Sequence, residues 1–215
     1  MSRKSLLLIF LLTLPSVIFA KDFLGISSPF SSTMSYKDPA GSTAGLSSNF
    51  DISHRNRGFE YMRGDLERGD ELRVGAEIRN ISLDGTKDTT EYFIESREYL
   101  LKASWVGAEA ERAWNFGLVI GVFIGFGALE YKFKKIDENR TSEKTKEVNF
   151  SNYTPYGIDG SLEIYITNSF FVSGRYRMYL NEEIKIKYLP NPDGSESIGS
   201  FRNHSSLQLV TGFFF

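Results

Sequence analysis

The chemistry that this chain could perform begins with one histidine near its carboxyl end. His204 precedes Ser206 by two residues, and positions i and i+2 share one face of an extended strand. A histidine within reach of a hydroxyl can activate it as a nucleophile, provided that a carboxylate or an amide orients the imidazole. No residue after Ser206 is acidic, so the nearby sequence offers no such carboxylate. We therefore predict no catalytic residue and keep His204 and Ser206 as the only candidates for that role.

A larger group of ionisable side chains occupies alternate positions in otherwise apolar segments. Its members are Asp65, Arg73, Glu77, Arg79, Glu98, Lys102, Asp159, Glu163, Arg175, Arg177 and Arg202. Six of them are basic and five are acidic. Unpaired charge is costly in a confined interior, so near-equal numbers favour an internally paired ionic network over a selective ion path.

The segments that carry these charges have the period of β-strands. In Leu72–Arg79 every even position is apolar and every odd position is charged or glycine, as in a half-buried strand. We predict strands at 57–66, 71–82, 93–107, 113–131, 154–167, 170–188 and 201–215. One more strand lies within 22–54, where residues 24–36 and 46–52 are competing segments.

The segment Trp114–Ala128 admits a helical interpretation as well. Gly117, Gly121 and Gly125 have the spacing at which membrane helices touch, but the run is shorter than the roughly 20 residues of a helical span. When even and odd positions are assigned to opposite faces of a strand, one face has large apolar residues and the other has mostly glycine. A strand whose inner face lines a crowded tube needs this arrangement, so we favour a strand.

The distribution of polarity indicates which face meets the solvent. If the apolar faces enclosed a water-soluble core, almost no helix would be available to cover it. The alternative directs the apolar faces toward lipid and the charged faces toward a small lumen. In hydrocarbon, only helices and closed barrels satisfy every backbone group. The predicted fold class is therefore all-β: an eight-stranded antiparallel up-and-down transmembrane β-barrel.

The links between the predicted strands alternate in length. Short links at 67–70, 108–112 and 168–169 alternate with long polar links at 37–56, 83–92, 132–153 and 189–200. Short turns at one end and long loops at the other are typical of outer-membrane barrels. If the first short hairpin pairs Leu66 with Leu72, Asp65 lies opposite Arg73.

Residues 1–20 have the layout of a secretory signal peptide. Arg3 and Lys4 precede the apolar run Leu6–Phe19, and the small residue Ala20 follows it. This run is also shorter than the roughly 20 residues of a transmembrane helix. We predict a signal peptide over 1–20 and one barrel domain over 21–215.

The composition excludes several classes of protein. Lys plus Arg is 25 against 27 for Asp plus Glu, a net charge of −2, and a general nucleic-acid binder needs a large basic excess. The absence of cysteine excludes disulfide scaffolds, cysteine-ligated zinc and thiol nucleophiles. We expect no metal, no cofactor and no nucleic-acid partner.

The carboxyl-terminal segment resembles the recognition strand of bacterial outer-membrane proteins, which ends in an aromatic residue. The residues that carry this resemblance are Leu207, Leu209 and the final Gly212–Phe215, with Phe213 and Phe215 on the face of the two leucines. With the signal peptide and eight strands, the chain resembles the small OmpA/OmpX-type barrels. The resemblance implies insertion by the barrel-assembly machinery into the bacterial outer membrane, but it transfers no activity.

From these features we expect a monomeric, non-enzymatic barrel that acts in surface interaction or envelope structure through its extracellular loops. Its expected partners are outer-membrane lipid, including lipopolysaccharide, and an extracellular ligand that the sequence does not identify. Two alternatives remain open: an outer-membrane lipid-modifying hydrolase built on His204 and Ser206, and a small pore.

Overall fold

The computed structural model describes residues 20–37, 43–48, 57–65, 71–87, 90–107, 116–135, 144–145, 149–167, 169–180, 183–188 and 197–215. In chain order the strands are β1 (Ala20–Lys37), β2 (Thr43–Ser48), β3 (Gly58–Asp65), β4 (Glu71–Lys87), β5 (Thr90–Gly107), β6 (Phe116–Lys135), β7 (Lys144–Thr145), β8 (Asn149–Tyr153), β9 (Tyr156–Thr167), β10 (Phe170–Tyr179), β11 (Ile184–Tyr188) and β12 (Ser197–Phe214). Within these ranges, no helix has the length and apolar character needed to cross a membrane.

The strands form one closed antiparallel barrel with eight wall positions. Five positions are single long strands, and three combine consecutive segments: β2 with β3, β7 and β8 with β9, and β10 with β11. Pairing of β1 with β12 closes the wall, from Phe23 opposite Phe214 to Lys37 opposite Ser200. We call the end where β1 begins and β12 ends the proximal end, and the end where β4 and β5 meet the distal end. The predicted eight-stranded antiparallel fold is confirmed.

Large apolar side chains point outward from the wall. On β6, Leu118, Ile120 and Val122 are 58%, 62% and 56% exposed, while Val119 and Phe123, at alternate positions of the same strand, face inward and are buried. The same segment pairs with β5 on one side and β9 on the other, which confirms the strand interpretation over the helix. An apolar outer surface of this extent is suited to lipid and not to water.

Strands β4 and β5 continue where we predicted a long polar loop at 83–92. Their pairing runs without interruption to Lys87 opposite Thr90, so this prediction was wrong. The reason is a reversal of polarity: Ile81, Leu83 and Ile94 point into the barrel, while their outward neighbours are polar or charged except for the exposed Phe93. Where a strand leaves the membrane, its side chains still alternate, but apolar residues are now needed on the inner face and polar residues on the outer face.

Other predicted boundaries also needed correction. The range 22–54 contains β2 and all of β1 except its first two residues, and the predicted strand 170–188 is divided between β10 and β11. In the first hairpin Gly64, not Asp65, lies opposite Arg73, and Asp65 is the backbone partner of Ala20 in β1. The register is shifted by one residue because Glu60, Met62 and Gly64 form the inward face of β3.

Two apolar clusters close the interior at opposite ends. The proximal cluster consists of Phe23, Met62, Phe171, Val210 and Phe214. The distal cluster consists of Met34, Ile81, Leu83, Ile94, Leu129, Tyr131, Ile184 and Phe201. The charged side chains therefore occupy a layer between two apolar layers.

Candidate functional site

The inner faces of five wall strands bring ten ionisable side chains into this middle layer. They are Glu60, Arg73, Glu77, Arg79, Glu98, Lys102, Asp159, Glu163, Arg175 and Arg177, and all are buried. Five are acidic and five are basic, so their formal charges cancel. Charge neutrality is what a confined, low-dielectric lumen requires if every group is to stay ionised.

Glu60 holds the proximal side of the central network. Its carboxylate accepts hydrogen bonds from Arg175 Nη2 at 2.7 Å and Nη1 at 2.9 Å, and it lies 2.6 Å from Lys102 Nζ. The two guanidinium contacts form a fork, which is the strongest geometry for a carboxylate–arginine pair. One acid on β3 thus joins two bases that come from β5 and β10.

Glu77 and Asp159 share the second base of β10. Arg177 Nη2 lies 2.7 Å from Glu77 and 2.9 Å from Asp159, and Lys102 Nζ lies 3.3 Å and 3.6 Å from the same two acids. Together with Glu60 and Arg175 these residues form the central cluster, in which three acids meet three bases. Removing any one charge would leave its partners unbalanced in a site without bulk water.

A separate ion pair lies between the central cluster and the proximal cluster. Arg73 Nη1 donates to both oxygens of Glu163, at 2.9 and 2.8 Å, and Tyr165 donates to the same carboxylate at 3.0 Å. The Arg73 guanidinium also lies 5.5 Å from the ring centre of Phe214, within cation–π range. The Arg73–Glu163 pair thus connects the charged layer to the aromatic side chains of the proximal cluster.

On the distal side, tyrosine hydroxyls replace direct ion pairs. Arg79 Nη1 donates to the Tyr179 hydroxyl at 2.8 Å, and Tyr179 donates to Glu98 at 2.5 Å. The hydroxyl of Tyr153 donates to the other oxygen of Glu98. Ser206 Oγ accepts from Arg79 Nη2 at 3.1 Å. This arrangement provides hydrogen-bond partners for Arg79 and Glu98 just below the distal cluster.

Glycines on the inner face make room for the network. A Cβ atom at Gly121 would overlap a carboxylate oxygen of Asp159, and one at Gly75 would overlap the backbone of β3. Gly121 of β6 therefore leaves the space that the Asp159 carboxylate fills, while Gly127 leaves the space of the Tyr153 ring.

Nine of the eleven residues predicted for a lumen network lie in this buried layer. The side chains of the other two, Asp65 and Arg202, lie outside the described residues. Sequence reasoning missed Glu60, the acid that contacts two bases. The alternation in Phe59–Met62 could have identified it, because two exposed aromatic residues flank Glu60 on the opposite face.

The candidate catalytic pair faces the lumen. His204 is buried and stacks on Tyr179 with ring centres 4.1 Å apart, and its Nε2 has no hydrogen-bond partner among the described residues. Ser206 Oγ accepts hydrogen bonds from Arg79 and from Gln208. His204 Nε2 makes no hydrogen bond to this hydroxyl, whereas a general base must lie within hydrogen-bond reach of the nucleophile that it activates.

The predicted carboxyl-terminal recognition residues lie on the outer face. Leu207, Phe213 and Phe215 are exposed, and Leu209 on the same face is partly exposed. Phe214 points the other way, into the proximal cluster. The outward residues are therefore available to lipid or to an assembly factor, while Phe214 serves packing.

Comparisons with known proteins show the fold. No protein-family model and no curated protein matches the chain. A major outer membrane protein from Thermus thermophilus aligns with a TM-score of 0.50 and 11% identity, over 91% of this chain and 99% of that chain. The outer membrane protein AlkL, determined by solid-state NMR in DMPC lipid bilayers, aligns with a TM-score of 0.50 and 12% identity, over 92% and 90%.

The chain therefore has the fold of the small outer-membrane β-barrels, as predicted. At identities this low, the similarity says nothing about activity. The shared fold and the apolar outer wall together support the outer-membrane location predicted from the sequence.

Proposed function

We propose that the protein is a non-enzymatic outer-membrane barrel that acts in surface interaction or envelope structure through its distal, extracellular end. The observation that carries this proposal is the closed interior. Two apolar clusters lie on either side of a charge-balanced network, and His204 Nε2 makes no hydrogen bond to Ser206 in the described lumen, which supports this proposal over a pore or a hydrolase. The outer wall and the distal end remain as the surfaces for function.

The distal end is suited to presenting the extracellular loops. Beyond the apolar belt, β4, β5 and β6 continue as a paired sheet, with the distal cluster inside and polar residues such as Asp84 and Glu95 outside. A sheet with its own apolar interior is stable in water without lipid around it. It would hold the loops at a defined height above the membrane.

Single cysteines test this orientation, because the chain contains none of its own. We expect Asp84→Cys, at the distal end, to react with a membrane-impermeant maleimide on intact cells. Ser169→Cys, exposed in the turn between β9 and β10, should react only after the outer membrane is permeabilised. The opposite labelling pattern would refute an extracellular distal end.

The hydrolase alternative is tested by lipid analysis. We expect lipid A from cells that produce the wild-type protein or the His204→Ala variant to have the same mass profile. A wild-type-specific change in acyl chains that is lost in the variant would make the protein an enzyme and overturn the proposal.

A further inference from the structure

Four buried polar atoms around Ser206 have no hydrogen-bond partner among the described residues. They are Ser32 Oγ, Arg177 Nε, His204 Nε2 and Gln208 Oε1, and all four side chains are 6% exposed or less. A fifth such atom, Ser173 Oγ, lies apart from them, opposite Val210 of the proximal cluster. Buried polar groups in folded proteins nearly always have a partner, so the grouping of four points to a ligand.

The register of the closing strands brings these four residues together. Ser32 on β1 and Arg177 on β10 both lie opposite Ser206 on β12. His204 and Gln208 are the inward residues of β12 on either side of Ser206. Opposite residues have Cα atoms about 5 Å apart, and successive inward residues of one strand are about 7 Å apart. We call Ser32, Arg177, His204 and Gln208 the seam patch.

The neighbouring contacts hold these side chains in place without using the four atoms. Arg177 Nη2 is occupied by Glu77 and Asp159, at 2.7 and 2.9 Å. Gln208 Nε2 donates to Ser206 Oγ at 2.8 Å. Stacking on Tyr179 fixes the ring plane of His204. The remaining donor and acceptor atoms of the seam patch therefore have defined positions.

The chemistry of the seam patch selects its ligand. Arg177 Nε only donates and Gln208 Oε1 only accepts, whereas the Ser32 hydroxyl and a neutral imidazole at His204 can do either. A bare anion would leave the acceptor without a partner, and a bare cation would leave the donor without one. The ten charges of the layer already cancel, so either ion would also add uncompensated charge. The ligand that fits is neutral and both donates and accepts, and water is the smallest such molecule.

We propose that the seam patch binds a group of internal water molecules along the inner face of β12, from His204 past Ser206 to Gln208. Four residues of extended strand separate His204 from Gln208, or about 13 Å. One water molecule joins groups about 6 Å apart, so at least two are needed. These waters would link β1, β10 and β12 at the pairing that closes the barrel. The inference concerns the interior and does not depend on the proposed function.

Magnetisation transfer from water to carbon-bound protons, measured by solid-state NMR on the full-length barrel in lipid bilayers, tests the site. We expect cross-peaks from water to the ring protons of His204 and to the methylene protons of Gln208. The controls are the methyl groups of Met34 and Val210, the next inward residues on β1 and β12, which lie in the apolar clusters. Transfer to Met34 and Val210 that equals the transfer to the seam patch would overturn the proposal, as would its absence at His204 and Gln208.

An ion in place of water is distinguished by changing the salt. Replacement of chloride by sulfate, and of sodium by potassium, should leave the resonances of His204 and Gln208 unchanged. A shift of these resonances with either exchange would assign the seam patch to an ion and overturn the proposal.

The stability of Ser32→Ala gives an independent test, because its sign depends on hydration. A hydroxyl that binds water loses a hydrogen bond on removal, so we expect the equilibrium constant for unfolding in urea to rise about fivefold. A buried hydroxyl without a partner is unfavourable, so its removal would leave stability unchanged or increase it, and this result would overturn the proposal. Ser28→Ala, on the outer face of β1, is the control and should unfold as the wild type does.

Discussion

Arg79 and Glu98 face each other across β4 and β5, yet the hydroxyl of Tyr179 lies between them and joins the two charges by hydrogen bonds of 2.8 and 2.5 Å. Tyr179 reaches this position from the far wall, on β10. The bridge therefore ties opposite sides of the barrel together at the level where the ionic layer meets the distal cluster.

Removing this hydroxyl should destabilise the barrel. We expect Tyr179→Phe to lower the free energy of unfolding by about 1–3 kcal/mol, since two buried charged groups each lose a hydrogen-bond partner. Urea unfolding in lipid vesicles measures the effect. Tyr176→Phe, on the outer face of the same strand, is the control and should change stability little. Equal effects of the two variants would show that the bridge is not a stabilising contact.

Breaking the central cluster should have a larger effect. We expect Arg177→Met to destabilise the barrel by about 3–5 kcal/mol, because Glu77 and Asp159 are left as buried charges with too few counter-charges. Adding Glu77→Gln to Arg177→Met should recover part of the loss in a double-mutant cycle. Arg63→Met, which removes a partly exposed partner of Asp22, should cost less than about 1 kcal/mol. Additive effects of the Arg177 and Glu77 changes would contradict their coupling.

The inner face of β6 should not tolerate an added methyl group at Gly121. Gly121→Ala would push against the Asp159 carboxylate, and we expect a loss of about 1–3 kcal/mol from overpacking. Gly174→Ala projects into open space on the outer wall and should be neutral or slightly stabilising. The two variants are compared by their folded fractions, which are read from the folded and unfolded bands on unheated gels. A neutral Gly121→Ala would mean that the network has room to relax.

The closed interior predicts an electrically silent barrel. The proximal and distal clusters place apolar side chains on both sides of the charged layer in the described lumen, so we expect no stable unitary conductance in planar bilayers. Steps of constant size that change in Arg177→Met would instead place an ion path through the network and support the small-pore alternative.

The outward aromatic residue at the end of the chain should matter for assembly more than for stability. The Phe215 side chain is 68% exposed. We expect Phe215→Ser to reduce the folded fraction in the outer membrane of cells, while purified protein folds into lipid vesicles as the wild type does. Phe59→Ser, another outward aromatic change, is the control and should assemble normally in cells. If Phe59→Ser reduced the folded fraction as much as Phe215→Ser does, the effect would be due to lipid contact in general.

Much of this architecture could be predicted from the sequence because alternation is a local property. Residues two apart share a face, so the sequence of Leu72–Arg79 is enough to place its charges on one side and its aliphatic residues on the other. The same logic identified nine of the buried charges. It failed at Asp65, where the register slipped by one residue, and at 83–92, where the polarity of the faces reverses.

The sequence by itself therefore determined the strands, their lipid-facing sides and the near balance of charge inside. Only the tertiary structure decided which charges meet. Arg73 and Glu163 are ninety residues apart and lie on β4 and β9, which are not adjacent, so closure of the barrel sets their contact. Partners across a lumen depend on strand stagger and barrel radius, and both arise from the sum of all the pairings and not from any one segment.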